Sequence, residues 1–266
     1  MPAHYTPLFS ALLAFIVSLM AGPRIITYLK RLKLGQQVRE DGPKTHLGKA
    51  GTPTMGGILI IVATVIAVVV FPPLSDHNII LLFATVGFAA LGFFDDFIKV
   101  VAKRSLGLRA REKLVGQFGI AVLVALYAWA RIGTDLFVPF AQNTIVLPPW
   151  LYLPFTVLVL VGTVNAVNLT DGLDGLAAGS TAIAATAFGL ITWLLGYPDL
   201  ALFSGALVGA CLGFSWFNAP PAQVFMGDTG SLGLGAALGT IAVLSKTTLF
   251  LPIIGALFVI ETLSVI

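Results

Sequence analysis

Apolar residues in this 266-residue chain fall in long unbroken runs separated by short polar segments, rather than in alternating positions. A helix needs about 20 apolar residues to cross a hydrocarbon core about 30 Å thick. Strands of a membrane barrel would be shorter and would alternate. About nine runs approach that helical length, near Leu8–Tyr28, Met55–Phe71, Ile79–Phe97, Val115–Ile132, Leu151–Val167, Leu176–Leu195, Leu200–Phe217, Ser231–Leu244 and Leu249–Ile266. The pattern predicts an all-α, polytopic transmembrane helical bundle of about nine spans, forming one membrane-embedded domain over residues 1–266. Val138–Trp150, with Asn143 and two prolines before Trp150, reads as a short external loop or hairpin. Gly205, Gly209 and Gly213 recur every four residues, the spacing of a helix face that packs closely on another helix.

Composition agrees with the bilayer as solvent. Hydrophobic residues make up 58% of the chain and charged residues 10%, against about 25% charged in an ordinary soluble domain, and the mean hydropathy is +0.98. The single cysteine, Cys211, lies in an apolar run, which excludes a disulfide framework or a Cys/His metal cluster within the chain. The net charge of +3 matters less than where the charges lie. Arg24, Lys30, Arg31, Lys33, Arg39, Lys44 and Lys49 lie in or just before the first long loop. Lys99, Lys103, Arg104, Arg109, Arg111 and Lys113 lie around the loop after the third run. Alternating spans put both loops on one side, leaving Arg131 and Lys246 for the other. The positive-inside rule then predicts a cytoplasmic location for the basic loops and an outside N-terminus. The first run has no basic segment before it, so it reads as a span and not as a cleaved signal. The chain ends at Ile266 inside the ninth run, which predicts a C-terminally truncated sequence.

The carboxylates carry the chemistry. Asp95 and Asp96 end the third run, Asp171 and Asp174 lie between the fifth and sixth, and Asp228 lies between the seventh and eighth. Alternation brings all five to the cytoplasmic side, and Glu261 approaches it as well. Acidic groups at a bilayer edge are costly and usually functional. An adjacent pair near a helix C-terminus is opposed both by the macrodipole and by mutual repulsion. It therefore predicts a compensating positive charge: a divalent cation first, Lys99 as the weaker alternative. In Asn165–Leu176 (NAVNLTDGLDGL), Asn168, Asp171 and Asp174 share a face if the backbone is helical. Thr170 or Asp171 would cap the sixth helix, and Gly172 and Gly175 allow close approach of a ligand. Amides and carboxylates so placed suit a base or sugar. Asn168-Leu169-Thr170 also matches a glycosylation sequon, discounted because it faces the cytoplasm. In Phe217–Ser231, with Asn218, Phe225 and Asp228, the aspartate stands between two glycines before a helix whose free N–H groups can hold an anion. A carboxylate there can hold the cation that bridges a phosphate, and Phe225 can stack on a base. Lys49, beside the GTPTMGG run of Gly51–Gly57, and Lys113, one turn before Gln117, supply positive charge for phosphates. Each also reads simply as a positive-inside residue, and the basic patch as a site for anionic lipid headgroups. His46 is the one histidine on the acidic side; His4 and His77 face outside.

Four segments together, His46–Gly57 (HLGKAGTPTMGG), Phe93–Lys99 (FFDDFIK), Asn165–Gly175 (NAVNLTDGLDG) and Phe217–Ser231 (FNAPPAQVFMGDTGS), resemble the signatures of the polyprenyl-phosphate N-acetylhexosamine-1-phosphate transferases, in the family's order and along essentially the whole chain. GTPTMGG is similar to the branch that transfers phospho-N-acetylmuramoyl-pentapeptide. The resemblance implies a ten-helix bundle, often a homodimer, in a bacterial inner membrane, with no nucleic-acid partner. It implies Mg²⁺-dependent transfer of phospho-MurNAc-pentapeptide from UDP-MurNAc-pentapeptide to undecaprenyl phosphate, giving lipid I and UMP, the first membrane step of peptidoglycan synthesis. By matching motifs, Asp95, Asp96 and Asp228 would be catalytic, with Asp228 the Mg²⁺ ligand. Asn168, Asp171, Gly172, Leu173, Asp174, Asn218 and Phe225 would surround the uridine, and Lys49, Lys113 and Gln117 would line the phosphate or catalytic region. The family's histidine-rich loop after the ninth helix lies beyond Ile266. Two other readings stay open at this point: a sister transferase that uses UDP-GlcNAc, and an ion-coupled transporter.

Overall fold

The computed structural model describes residues 6–32, 51–71, 74–102, 107–141 and 143–265. The chain folds as a helical bundle: α1 (Thr6–Arg31), α2 (Gly57–Val70), α3 (Asp76–Val101), α4 (Ala110–Arg131), α5 (Pro149–Thr170), α6 (Leu176–Leu194), α7 (Pro198–Asn218) and α8 (Gly227–Leu244), then a 3₁₀ turn (Thr248–Phe250), α9 (Leu251–Ile254) and α10 (Ala256–Val265). Between α4 and α5 the predicted hairpin is present as β1 (Asp135–Phe137) and antiparallel β2 (Thr144–Val146). It starts a few residues before the expected loop.

Among the described residues, seven helices are long and apolar enough to cross a membrane, or eight if the bent C-terminal pair counts as one span. Two of the nine runs depart from expectation. The run Met55–Phe71 is helical only from Gly57 to Val70, 14 residues, which at 1.5 Å per residue is shorter than the hydrocarbon core. Its first residues, Met55 and Gly56, form a turn that reaches the site. The ninth run is not one straight helix. It breaks at Gly255, and the two pieces meet at 74°.

α8 stands in the middle, packed on α3 and α5, while α7 packs on α1 and α6. Every residue of α8 from Thr229 to Leu244 is buried, which its glycine- and alanine-rich sequence permits. α1, by contrast, buries Ser10, Ala14, Ser18, Gly22, Ile26 and Leu29, one narrow stripe at helical spacing, and leaves apolar side chains such as Leu8, Leu12 and Met20 exposed. Such outward apolar faces suit lipid. The stripe meets the α7 glycines as their spacing predicts. A Cβ at Gly205 would collide with the Pro7 carbonyl, and one at Gly209 with that of Ala11. Ser10 Oγ donates across the same contact to the Leu202 carbonyl at 2.8 Å.

The helices alternate in direction. One end of the bundle gathers the C-terminal ends of α1, α3, α5 and α7 and the N-terminal ends of α2, α4, α6 and α8. At the other end, His77 at the start of α3 pairs with Asp199 at the start of α7 (2.8 Å). There too Lys246, just after α8, pairs with Asp135 of the hairpin (2.8 Å).

Candidate active site

Helix α3 carries Asp95, Asp96 and Lys99 into the first of these ends, and the loops after α5 and α7 meet them there. Asp96 is buried, and its carboxylate caps α8. Oδ1 accepts from the Asp228 N–H (3.2 Å), and Oδ2 accepts from the Thr229 N–H (2.9 Å) and from Thr229 Oγ1 (2.8 Å). The unfavourable position near the C-terminus of one helix is offset by a favourable one at the N-terminus of another. The α8 N–H groups, expected to be free for a ligand anion, are therefore partly committed to Asp96.

Asp95 Oδ1 accepts from the Leu108 N–H at 2.8 Å, which seats the 107–108 segment on it. Its Oδ2 lies against Lys99 Nζ. The same ammonium is 3.0 Å from Asp228 Oδ2 and 3.7 Å from Asp96 Oδ1. Lys113, in the first turn of α4, reaches Asp228 Oδ2 at 2.8 Å. Asn168, near the end of α5, donates to Asp228 Oδ1 (3.0 Å) and Ser231 Oγ (2.8 Å). Asp228 is thus the hub: α3, α4 and α5 each place a donor on it. The compensating charge that the aspartate pair demands is supplied in the chain by Lys99, the weaker of the two expected sources.

Tight backbone contacts fix these distances. A Cβ on Gly92 would collide with the Asp228 carbonyl, and one on Gly57 with the Gly230 backbone. Residues 53–57 run beside 225–226. The Phe225 N–H donates to the Pro53 carbonyl (2.8 Å), and Gly56 and Gly57 donate to the Phe225 and Met226 carbonyls (2.8 and 2.9 Å). Met55 adopts a left-handed φ of 70° in this segment. The GTPTMGG run therefore forms the wall that holds the Asp228 loop.

The loop after α5 differs from expectation. Helical geometry stops at Thr170, Asp171 is the C-cap of α5, and Gly175, at φ 80°, rather than Thr170 or Asp171, starts α6. Asn168, Asp171 and Asp174 consequently do not share one helical face, because the glycine-containing turn re-aims the last two. Asp171 accepts from the Gly227 N–H. Loss of hydration, reinforced by Asp228, Asp96 and Asp174 nearby, pushes its carboxyl well above the usual carboxylate range. That shift favours the neutral form, which can donate as well as accept. Asp174 accepts from the Ala222 N–H at 3.4 Å. Gly172 and Leu173 are exposed on the turn, and Phe225 is half-buried. Asn218 is buried, with its amide spent on backbone: Oδ1 accepts from Gly175 N–H and Nδ2 donates to the Val224 carbonyl, both at 2.9 Å. It ties the two loops together. Lys49 and His46 lie outside the described residues. Glu261 sits on α10, which packs against α5, and has no contact with the aspartates among the described residues.

Two members of the site take larger roles than the sequence predicts. Lys99 is expected only as the weaker counter-charge, although its i+4 spacing from Asp95 places it over that carboxylate. Asn165, one turn before Asn168, donates to Gln117 Oε1 at 2.8 Å. Gln117 is completely buried, so it braces α4, and with it Lys113, against α5. Gln117→Leu leaves the Asn165 amide short of a partner and is expected to cost about 1–3 kcal/mol, read as a lower Tm in detergent. The KM for the nucleotide substrate should not change. A raised KM at unchanged Tm would instead mean that Gln117 touches substrate.

Asp95, Asp96 and Asp228 each offer one carboxylate oxygen within 4.8 Å of the others. An all-oxygen donor set of this kind suits a hard divalent cation such as Mg²⁺.

The chain matches the model described as glycosyl transferase family 4 over residues 78–246. It also matches that of phospho-N-acetylmuramoyl-pentapeptide-transferase signature 1 over residues 49–61. It is 50% identical over 259 residues to the phospho-N-acetylmuramoyl-pentapeptide-transferase of Caldanaerobacter subterraneus subsp. tengcongensis, an alignment covering 97% of this chain and 82% of the relative. It is 51% identical over 264 residues to the protein of that name from Bacillus subtilis, covering 97% and 81%.

Proposed function

Because the chain belongs to the phospho-N-acetylmuramoyl-pentapeptide-transferase family within glycosyl transferase family 4, we propose that it transfers phospho-MurNAc-pentapeptide from UDP-MurNAc-pentapeptide to undecaprenyl phosphate. The products are lipid I and UMP. The observation that carries the reading is the meeting of Asp95, Asp96, Asp228, Lys99 and Lys113 at one end of a membrane bundle, beside the segment that matches the transferase signature.

In this reaction an oxygen of the lipid phosphate attacks the sugar-linked phosphorus. The bond to the bridging oxygen breaks, and UMP leaves with it. The protein's part is positioning and charge stabilisation. Asp95, Asp96 and Asp228 would hold Mg²⁺, which would supply charge neutralisation for the pyrophosphate. Lys113 and Lys99 offer ammonium groups to phosphate oxygens. Asp96 spends both oxygens on the α8 N-terminus, whereas Asp95 gives Oδ1 to one backbone N–H and keeps Oδ2 for the Lys99 ammonium. Asp95 is therefore the freer carboxylate to ready the lipid phosphate. Asp171, Asp174 and Phe225, with the exposed turn at Gly172 and Leu173, form the side from which uridine is recognised, and Asn218 holds that side in shape. The exposed Arg24, Lys30, Arg31, Arg109 and Arg111 lie at the same end as the aspartates, which supports a cytoplasmic active site in a bacterial inner membrane.

The test is UMP release by purified protein given both substrates. Release matched by a lipid-linked product, and abolished by EDTA until Mg²⁺ is restored, is the expected result. Absence of UMP from folded protein at saturating Mg²⁺ would sink the reading.

A further inference from the structure

Lys99 occupies an unusual position for a lysine that reads as a positive-inside residue. Its ammonium contacts Asp95 and Asp228 and lies 3.7 Å from Asp96, the same three carboxylates whose oxygens are close enough to share one cation. Lys113 differs, since among the described residues its ammonium pairs with Asp228 alone. The Lys99 side chain keeps about a third of its surface exposed (32%) while Asp95 and Asp96 keep 4% each. The anions are fixed and the cation stands on a flexible four-carbon stem with room to leave. Charge balance points the same way. Three carboxylates and two ammoniums leave the cluster with one negative charge. A divalent cation added to that set makes it net positive in a partly desolvated site, unless an ammonium leaves or an anion arrives.

We propose that Lys99 is a resident counter-ion that competes with the divalent cation for Asp95, Asp96 and Asp228, and that it swings onto a substrate phosphate when the cation enters. Lys99 is on this account a positioning residue for the metal-free site. It keeps three close carboxylates from repelling one another, and it couples cation binding to phosphate binding, because the displaced ammonium needs a new anion. The inference rests on the Mg²⁺-dependent reading given above.

The test uses the full chain in detergent, Mn²⁺ as the probe and free Mn²⁺ measured by electron paramagnetic resonance without substrates. Lys99→Gln should bind Mn²⁺ more tightly, on the order of tenfold. Arg111→Gln, which removes an exposed charge that makes no ion pair with these carboxylates among the described residues, should bind as the parent does. In the parent protein, acetylation of Lys99 by acetic anhydride, followed by mass spectrometry, should speed up when Mn²⁺ is added; this second readout stands even if Lys99→Gln fails to fold. Equal or weaker Mn²⁺ binding by folded Lys99→Gln, or a Lys99 acetylation rate that Mn²⁺ leaves unchanged, would overturn the proposal. Mn²⁺-dependent UMP release alongside either result removes only the counter-ion role. Absence of both Mn²⁺ binding and metal-dependent release removes the metal reading itself.

Discussion

Asp228→Asn reduces kcat for UMP release by about 10³-fold or more, the scale of losing a group that stabilises developing charge. The carboxylate accepts from Lys99, Lys113 and Asn168 at 3.0, 2.8 and 3.0 Å. An amide of the same shape turns one oxygen into a donor that faces another donor, either the two ammonium groups or the Asn168 amide. It also removes the negative charge on which both lysines and a metal ion depend. Because Asp228 is hydrogen-bonded through its backbone to Asp96, the side-chain change should leave the start of α8 in place, so Tm should move much less than kcat. Full turnover by Asp228→Asn, measured with both substrates saturating, would remove Asp228 from the chemistry.

Gly92→Ala is expected to lower both stability and rate, although residue 92 has no side chain to contribute. The new Cβ would collide with the Asp228 carbonyl and with the Thr229 nitrogen beside it, and backbone cannot yield as the end of a flexible side chain can. Overpacking of this kind costs about 1–3 kcal/mol. The cheapest relief is a shift of the Asp228 loop away from α3, which lengthens the Asp96–Thr229 bonds and the reach of Lys99. A displacement near 1 Å in such a site costs about 10² in rate. Thermal melting and UMP release measured on the same preparation test this, and parent-like values of both would show that α3 and α8 are not held as close as the geometry requires.

The sequence made the meeting of the aspartates legible because a bilayer leaves few choices. Once runs of helical length alternate, Asp95, Asp96, Asp171, Asp174 and Asp228 must emerge at one end. Their position at span ends also distinguishes the site from a transporter's midplane site. What could not be read was how the backbone closes on itself there. The spacing of Asn168, Asp171 and Asp174 suggested one face, but the turn begins at Asp171 and places them on different partners. Asp228 looked like a carboxylate beside a vacant helix N-terminus, yet Asp96 takes those N–H groups, a contact between residues 132 apart in the chain. Gln117, which the resemblance places in the phosphate or catalytic region, is buried with its amide bonded to Asn165, a contact that the sequence does not reveal. A lysine near a membrane edge such as Lys99 has an ordinary explanation, and only the third dimension shows that three carboxylates surround it. The α2 run is long enough in apolar count, but Gly56 turns to pack on Val224 and Phe225, and the helix starts only at Gly57, against Gly230.

Burial of α8 on all sides has a consequence for how freely its sequence can drift. A helix such as α1 turns most of its circumference to acyl chains, which accept almost any apolar shape, so many of its positions tolerate exchange among Leu, Ile, Val and Phe. α8 has protein neighbours all round and is the least apolar of the seven long helices. The hydrocarbon solvent selects almost nothing along it. Its glycines answer to particular partner atoms, and a methyl group added at Gly233 or Gly235 would press on Ile61 or on the Val164 backbone. Of all the helices, the one that opens on Asp228 has the fewest acceptable spellings.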